Sequence, residues 1–319
     1  MNAHRRRWLA WSALAAMGQA RARNEPPVDE TWRDAARNRA LPVLVRWPSG
    51  SGPWPLIVYS HGLGGSREGG DAWGQAWQAA GFVVLHLQHP GSDIEVLRDG
   101  LAKLREAGNL QQFLLRMADV RFVIDEVERR HRLGASPWGQ VRLASMGVAG
   151  HSFGALTTQA IAGQRFDMPT ELADARVAAF LAFSPGSGRS KMALTEQFGA
   201  ISRPFMVVTG SLDGDPFGSY DSGALRAKVY EGLPAGQRAL LWLDGADHMS
   251  FAGNARLRIA GLGPFKRQPV AAEREVAHHA LVARITTLWW QTQLMADAAA
   301  RAALQQPSGL GDGNRLTLG

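Results

Sequence analysis

A chain of 319 residues can bury one substantial core, and 45% hydrophobic with 20% charged residues is the balance of a globular protein, not of a disordered one. The net charge of +7 suggests nucleic acid at first sight, but Arg5, Arg6, Arg7 and Arg21 supply four of those charges within the first 22 residues. The remainder carries a mild +3 with no concentrated Lys/Arg run, which sets nucleic acid aside, and the lack of cysteine excludes disulfides, thiolate metal sites and a cysteine nucleophile.

Residues 1–22 have the order of an export signal. Arg5-Arg6-Arg7 is a positive stretch, Trp8 to Met17 an apolar run too short to span a bilayer, and Ala20-Arg21-Ala22 a cleavage pattern. The arginines before Trp8-Leu9 fit general export or a loose twin-arginine signal, and a buried N-terminal helix is the bland alternative. Export would place the protein in the periplasm or outside the cell. Residues 23–31, with Pro26-Pro27, read as a linker, and 32–297 as one domain.

Arg39 to Trp47 alternates as a strand does, and Pro48 to Pro53 forms a loop. Pro55 to Ser60 is a continuous apolar run, expected to be a strand covered on both faces. It ends in His61-Gly62-Leu63-Gly64-Gly65-Ser66, whose glycine spacing fits neither nucleotide-phosphate pattern. Asp71 to Ala80 predicts a helix and Phe82 to Leu87 a strand, followed by a turn through His89-Pro90-Gly91. Residues 94–116 are amphipathic and read either as a cap or as a surface helix. Met117 to His131 carries Val120, Val123, Ile124 and Val127 at helical spacing.

Val141 to Ala149 is a buried-strand pattern and Ala155 to Ala162 a helix. Between them Gly150-His151-Ser152-Phe153-Gly154 fits G-x-S-x-G, the strand-to-helix turn that holds a nucleophilic serine in strained backbone above a helix N-terminus. Strands follow at 176–183, 204–209 and 239–243, with helices at 222–230 and 272–297. Residues 298–319 read as a loose tail. Strands alternate with helices and no repeat is present. That order predicts a doubly wound, mostly parallel α/β sheet with its site beyond the strands' carboxyl ends.

Three candidates fall at such ends: Ser152, Asp213 and His248. A hydroxyl needs a base to become a nucleophile. An imidazole can take that proton and return it to the leaving group, and a carboxylate behind it fixes the tautomer. Asp215 rivals Asp213 as the acid, while Asp244 and Asp247 read as loop caps. For the oxyanion, the backbone N–H of Phe153 and that of Leu63, in the glycine-rich loop, are the expected donors. His151, His89 and Met249 are candidate walls of the site. His86 and His89, three apart on or after a strand, face opposite sides, and adjacent His278-His279 lack metal-ligand spacing, so no metal is expected.

Ser60-His61-Gly62-Leu63-Gly64-Gly65, Gly150-His151-Ser152-Phe153-Gly154 and Leu243-Asp244-Gly245-Ala246-Asp247-His248 together resemble the serine α/β-hydrolases that include platelet-activating-factor acetylhydrolases, bacterial polyester hydrolases and dienelactone-hydrolase-like esterases. Arg33 to Val43 is similar to their first strand. The resemblance implies the α/β-hydrolase fold, Ser152 as nucleophile, His248 as base and Leu63 with Phe153 as oxyanion donors. It also implies a carboxylic-ester substrate, small, lipid or polymer, and no cofactor. Two departures stand out. The chain has no cysteine, the nucleophile of true dienelactone hydrolases. Phe183-Ser184-Pro185-Gly186 also lacks the carboxylate that the animal acetylhydrolases carry after the strand that follows the elbow helix, which moves the acid one strand later, to Asp213. A non-catalytic binding protein on the same fold is the rival reading.

Overall fold

A computed structural model describes residues 25–168, 171–187, 190–214, 222–253 and 272–319. The expected export signal and Asp215 lie outside the described residues. The chain opens with an antiparallel pair, β1 (Val28–Asp34) and β2 (Arg39–Arg46), so the stretch read as a linker already enters the sheet at Val28. Then come β3 (Trp54–Ser60), α1 (Asp71–Ala79), β4 (Val83–Leu87), α2 (Ile94–Arg98), α3 (Leu101–Glu106) and α4 (Leu110–Arg132). The second half holds β5 (Val141–His151), α5 (Phe153–Ala162), β6 (Val177–Phe183), α6 (Leu194–Phe198), β7 (Phe205–Leu212) and α7 (Gly223–Gly232). It closes with β8 (Arg238–Asp247), α8 (Ala272–Leu294), α9 (Ala298–Gln305) and β9 (Arg315–Leu318).

These form one nine-stranded sheet in the order β1-β2-β4-β3-β5-β6-β7-β8-β9. From β4 to β8 every pairing is parallel, and the antiparallel strands sit at the two edges. The two-residue period of the strands divides the core between the faces. In β3, Leu56 and Val58 pack with Val120 and Ile124 of α4, whereas Ile57 and Tyr59 pack with Trp73 and Trp77 of α1 and Trp290 of α8. A strand buried on both sides needs an unbroken apolar run, as its sequence has. No helix among the described residues is long and apolar enough to cross a membrane.

Residues 94–116 take helical structure, and the C-terminal tail departs from its sequence reading. The former are two short helices plus the first turns of α4, with Leu104 fully buried against Gly64 of the loop after β3. The tail is not loose. α8 stops at Leu294, α9 follows with Asp297 capping its N-terminus, and β9 adds antiparallel to β8 with Ala239 opposite Leu318. The glycines at 309, 311 and 313 adopt left-handed backbone and bring the chain back to that edge. Glycine-rich composition signalled a turn here, not disorder.

Candidate active site

The elbow forms as its sequence requires. Ser152 has φ 55° and ψ −114°, at the junction of β5 and α5. A Cβ at Gly150 would overlap the backbone of Gly154, and one at Gly154 would overlap the Ser60 carbonyl of β3. The two glycines are therefore close-approach positions, which allow the strained serine to stand between strand and helix.

Ser152 follows β5, Asp213 follows β7 and His248 follows β8, so parallel strands deliver all three at one rim of the sheet. His248 Nε2 lies 2.9 Å from Ser152 Oγ, and His248 Nδ1 lies 2.8 Å from Asp213 Oδ1. The imidazole can thus accept the serine proton through Nε2 while Nδ1–H donates to the carboxylate. Asp213 is fully buried. Burial alone would raise its pKa, but the Arg226 charge and hydrogen bonds from His248 and Thr209 prevail and lower it, so the acid is ionised. Arg226 of α7 sits 3.1 Å from Asp213 Oδ1 and also donates to the carbonyls of Asp213, Ser184 and Pro185, which ties the loops after β6 and β7 to that helix.

His151 is a neighbour of His248. Its ring centroid lies 4.8 Å from that of His248, and its Nε2–H donates to the His248 carbonyl at 3.0 Å. Burial, then the His248 charge, pushes its pKa down to about 3, so it is a neutral brace at pH 7. Met249 is half-buried beside His248. Asp247 caps the turn His248–Phe251 by accepting from Ser250 N–H at 2.9 Å, and Asp244 pairs with Arg274 and Ser211, so both are loop supports as read.

The loop after β3 flanks the serine: a Cβ on Gly62 would stand 3.4 Å from Ser152 Cβ. Leu63 follows within this loop. Phe153 opens α5, where the first N–H groups of a helix have no intrahelical partner. The loop is fixed to the chain after β4 by Gly64 N–H to Ser92 O and Ile94 N–H to Gly65 O, at 2.9 and 2.8 Å.

His89 is placed differently from its reading as a wall. It is wholly buried behind this loop, with Nε2 2.9 Å from Ser60 Oγ and Nδ1 3.0 Å from Asp119 Oδ2. A histidine at a strand end looks the same in sequence whether it faces the mouth or the core. Asp119 also accepts from Arg37 and Arg39, at 2.7 and 2.8 Å. Sequence reasoning missed Asp119, Arg116, Arg226 and Thr209. The only available signal was a charge at core-facing spacing, as with Arg116 and Asp119 beside Met117 and Val120 in α4. His86 bonds Gly69 O and His279 bonds Ser250 O, each a structural contact.

Comparison with solved structures decides the fold. A ferulic acid esterase from Streptomyces cinnamoneus superposes with a TM-score of 0.58 at 17% identity, over 85% of this chain and 90% of that one. This chain has the α/β-hydrolase fold. The 2,6-dihydroxy-pseudo-oxynicotine hydrolase also superposes, with a TM-score of 0.53 at 17% identity over 85% of this chain and 69% of that one. Residues 38–132 match the family model of platelet-activating factor acetylhydrolase, isoform II. That span holds the loop after β3, His89, Arg116 and Asp119. A search of curated proteins finds no match.

Proposed function

We propose that this hydrolase cleaves carboxylic esters through an acyl-enzyme. Ser152 Oγ attacks the carbonyl carbon as its proton passes to His248 Nε2. The resulting oxyanion rests on the N–H groups of Leu63 and Phe153, and the protonated imidazole, held by Asp213, returns the proton to the leaving alcohol. Water, deprotonated by the same imidazole, then releases the acid. The observation that carries this reading is the continuous chain of short contacts from Ser152 through His248 to the buried Asp213, 2.9 and 2.8 Å.

The family match and the esterase neighbour support a carboxylic ester as the substrate class. Lipid acetyl esters and polyesters share the same scissile group, and a chain-length series of nitrophenyl esters separates them. Export to the periplasm or beyond is part of the proposal, and fractionation of cells expressing the chain with and without residues 1–22 tests it. The catalytic reading is tested with a fluorophosphonate, which should modify one residue, Ser152. A folded Ser152→Ala protein should neither label nor turn over ester. A folded wild-type protein that never labels would mark a binding protein on a hydrolase fold.

A further inference from the structure

We propose that Arg116 is a positioning residue for the oxyanion hole, clamping from behind the backbone that carries both donors. The inference rests on the acyl-transfer reading above, with Leu63 and Phe153 as donors. Arg116 projects from the core-facing side of α4 and is wholly buried. Its Nη1 donates to His61 O at 2.7 Å, its Nη2 lies 3.4 Å from Gly62 O, and its Nε is anchored on Ser92 Oγ at 2.9 Å.

The Gly62 carbonyl and the Leu63 N–H belong to one peptide unit. In a trans peptide they point in opposite directions, so whatever fixes the carbonyl fixes the donor. Three groups hold that carbonyl: Arg116, the Gly65 N–H at 3.1 Å and His61 Nδ1 at 2.6 Å. The His61 tautomer is set from its other side, where Nε2 accepts from the His89 N–H at 3.0 Å. With the carbonyl drawn toward the buried guanidinium, the Leu63 N–H is directed away from it, and donation to that carbonyl polarises the whole unit.

The second donor is held by the same side chain. The Arg116 guanidinium carbon stands 4.3 Å from the centroid of the Phe153 ring. Phe153 is the first residue of α5, so a fixed ring limits the motion of the N–H beside it. A cation in a core position costs desolvation that a leucine there would avoid. Burial lowers the arginine's pKa to about 9, with Asp119 and Asp93 opposing the shift, so it remains a cation at pH 7. Its charge lies behind both donors, where it favours a developing oxyanion and does little for a neutral ester.

The test compares a nitrophenyl ester with its thionoester, in which sulfur, a poor acceptor, replaces the carbonyl oxygen. Arg116→Met, Arg116→Lys and Ser92→Ala are measured on both. In Arg116→Met, kcat for the ester should fall about a hundredfold, the scale of one lost oxyanion donor. KM should stay nearly constant, and the thionoester rate should fall far less, so that the oxygen-to-sulfur preference of the wild type shrinks. Arg116→Lys should recover part of that preference, and Ser92→Ala, with one neutral anchor removed, should lose roughly two- to tenfold on the ester alone. If Arg116→Met does not fold, the Lys and Ser92 variants decide.

Equal losses on ester and thionoester, or a change confined to KM, would reduce Arg116 to a structural tie. That outcome leaves ester hydrolysis by Ser152 standing. Failure of the acyl-transfer reading shows itself separately, as a wild-type protein that neither labels nor turns over ester.

Discussion

Replacing Asp213 by asparagine tests the geometry of the proposed triad most severely, because it removes one charge and almost no volume. Asn Oδ1 can still accept the Thr209 hydroxyl, which donates to Asp213 Oδ2 at 2.8 Å. Arg226 keeps the carbonyls of residues 213, 184 and 185, each at 3.0 Å, so the loops remain tied and the fold should persist. What changes is the imidazole. The Asn amide can donate to His248 Nδ1 across the 2.8 Å contact, which leaves the proton on Nε2, facing Ser152. A base that already holds its proton cannot take the serine's. Loss of that tautomer costs about 10⁴ in kcat, about 5 kcal/mol of barrier at 1.36 kcal/mol per tenfold. Steady-state kinetics on a nitrophenyl ester, with circular dichroism and a melting curve as controls, would measure it. A folded Asp213→Asn enzyme that loses less than tenfold, or an Asp215→Asn enzyme that loses as much, would refute the assignment of the acid.

Two further outcomes follow from burial. His86, His89 and His151 are buried with pKa values pushed down to about 3, 4 and 3, against about 6.5 in an unfolded chain. Between pH 6.5 and 4 the unfolded state therefore binds more protons than the folded one. Stability is fully present above pH 6.5 and falls as pH drops through this window, by up to about 1.4 kcal/mol per pH unit for each histidine. Urea unfolding from pH 7 to 4 should show that slope, and a folded His86→Gln variant should flatten it by about one proton's worth. Deleting residues 306–319 should bare the β8 edge at Ala239 to Trp242, lower Tm by roughly 5 °C for about 2 kcal/mol lost, and raise aggregation in light scattering. An unchanged Tm would mean that β9 adds nothing to the sheet.

The parallel centre of the sheet was legible because doubly buried strands leave unbroken apolar runs, as in Pro55 to Ser60 and Val141 to Ala149. Ser152, Asp213 and His248 were legible as candidates because each falls at the carboxyl end of an expected strand, and the fold brings their side chains together. The support behind them was not. Arg116 and Asp119 differ by three positions on α4, so they share a face with Val120 and Ile124, and only a fold that brings two loops over that face makes charges there tolerable. Helical periodicity reports where a residue points but not whether buried carbonyls await it. The ends of the chain failed for another reason. β1 and β9 are edge strands with mixed burial, and β9 has four residues, too short for alternation to be read.

The fold contains a second Ser–His–Asp chain, and it bears on what a triad is. Ser60, His89 and Asp119 stand at 2.9 and 3.0 Å, close to the 2.9 and 2.8 Å of Ser152, His248 and Asp213. Distances therefore do not separate the two. Exposure does, since Ser60 is fully buried within β3 while Ser152 is partly open at the head of α5. Backbone does too: Ser152 has left-handed φ and sits beside free helix N–H groups, whereas Ser60 pairs regularly with Leu87 and Gly150. Charge completes the contrast. Burial and then the neighbouring Arg116 hold the His89 pKa near 4 against the opposing pull of Asp119, so an imidazolium forming there would face a cation. A fluorophosphonate should accordingly modify Ser152 and leave Ser60 untouched, even in a Ser152→Ala protein where the Ser60 chain is intact. Peptide mapping that found the label on Ser60 would mean that access, charge and backbone do not select the nucleophile here.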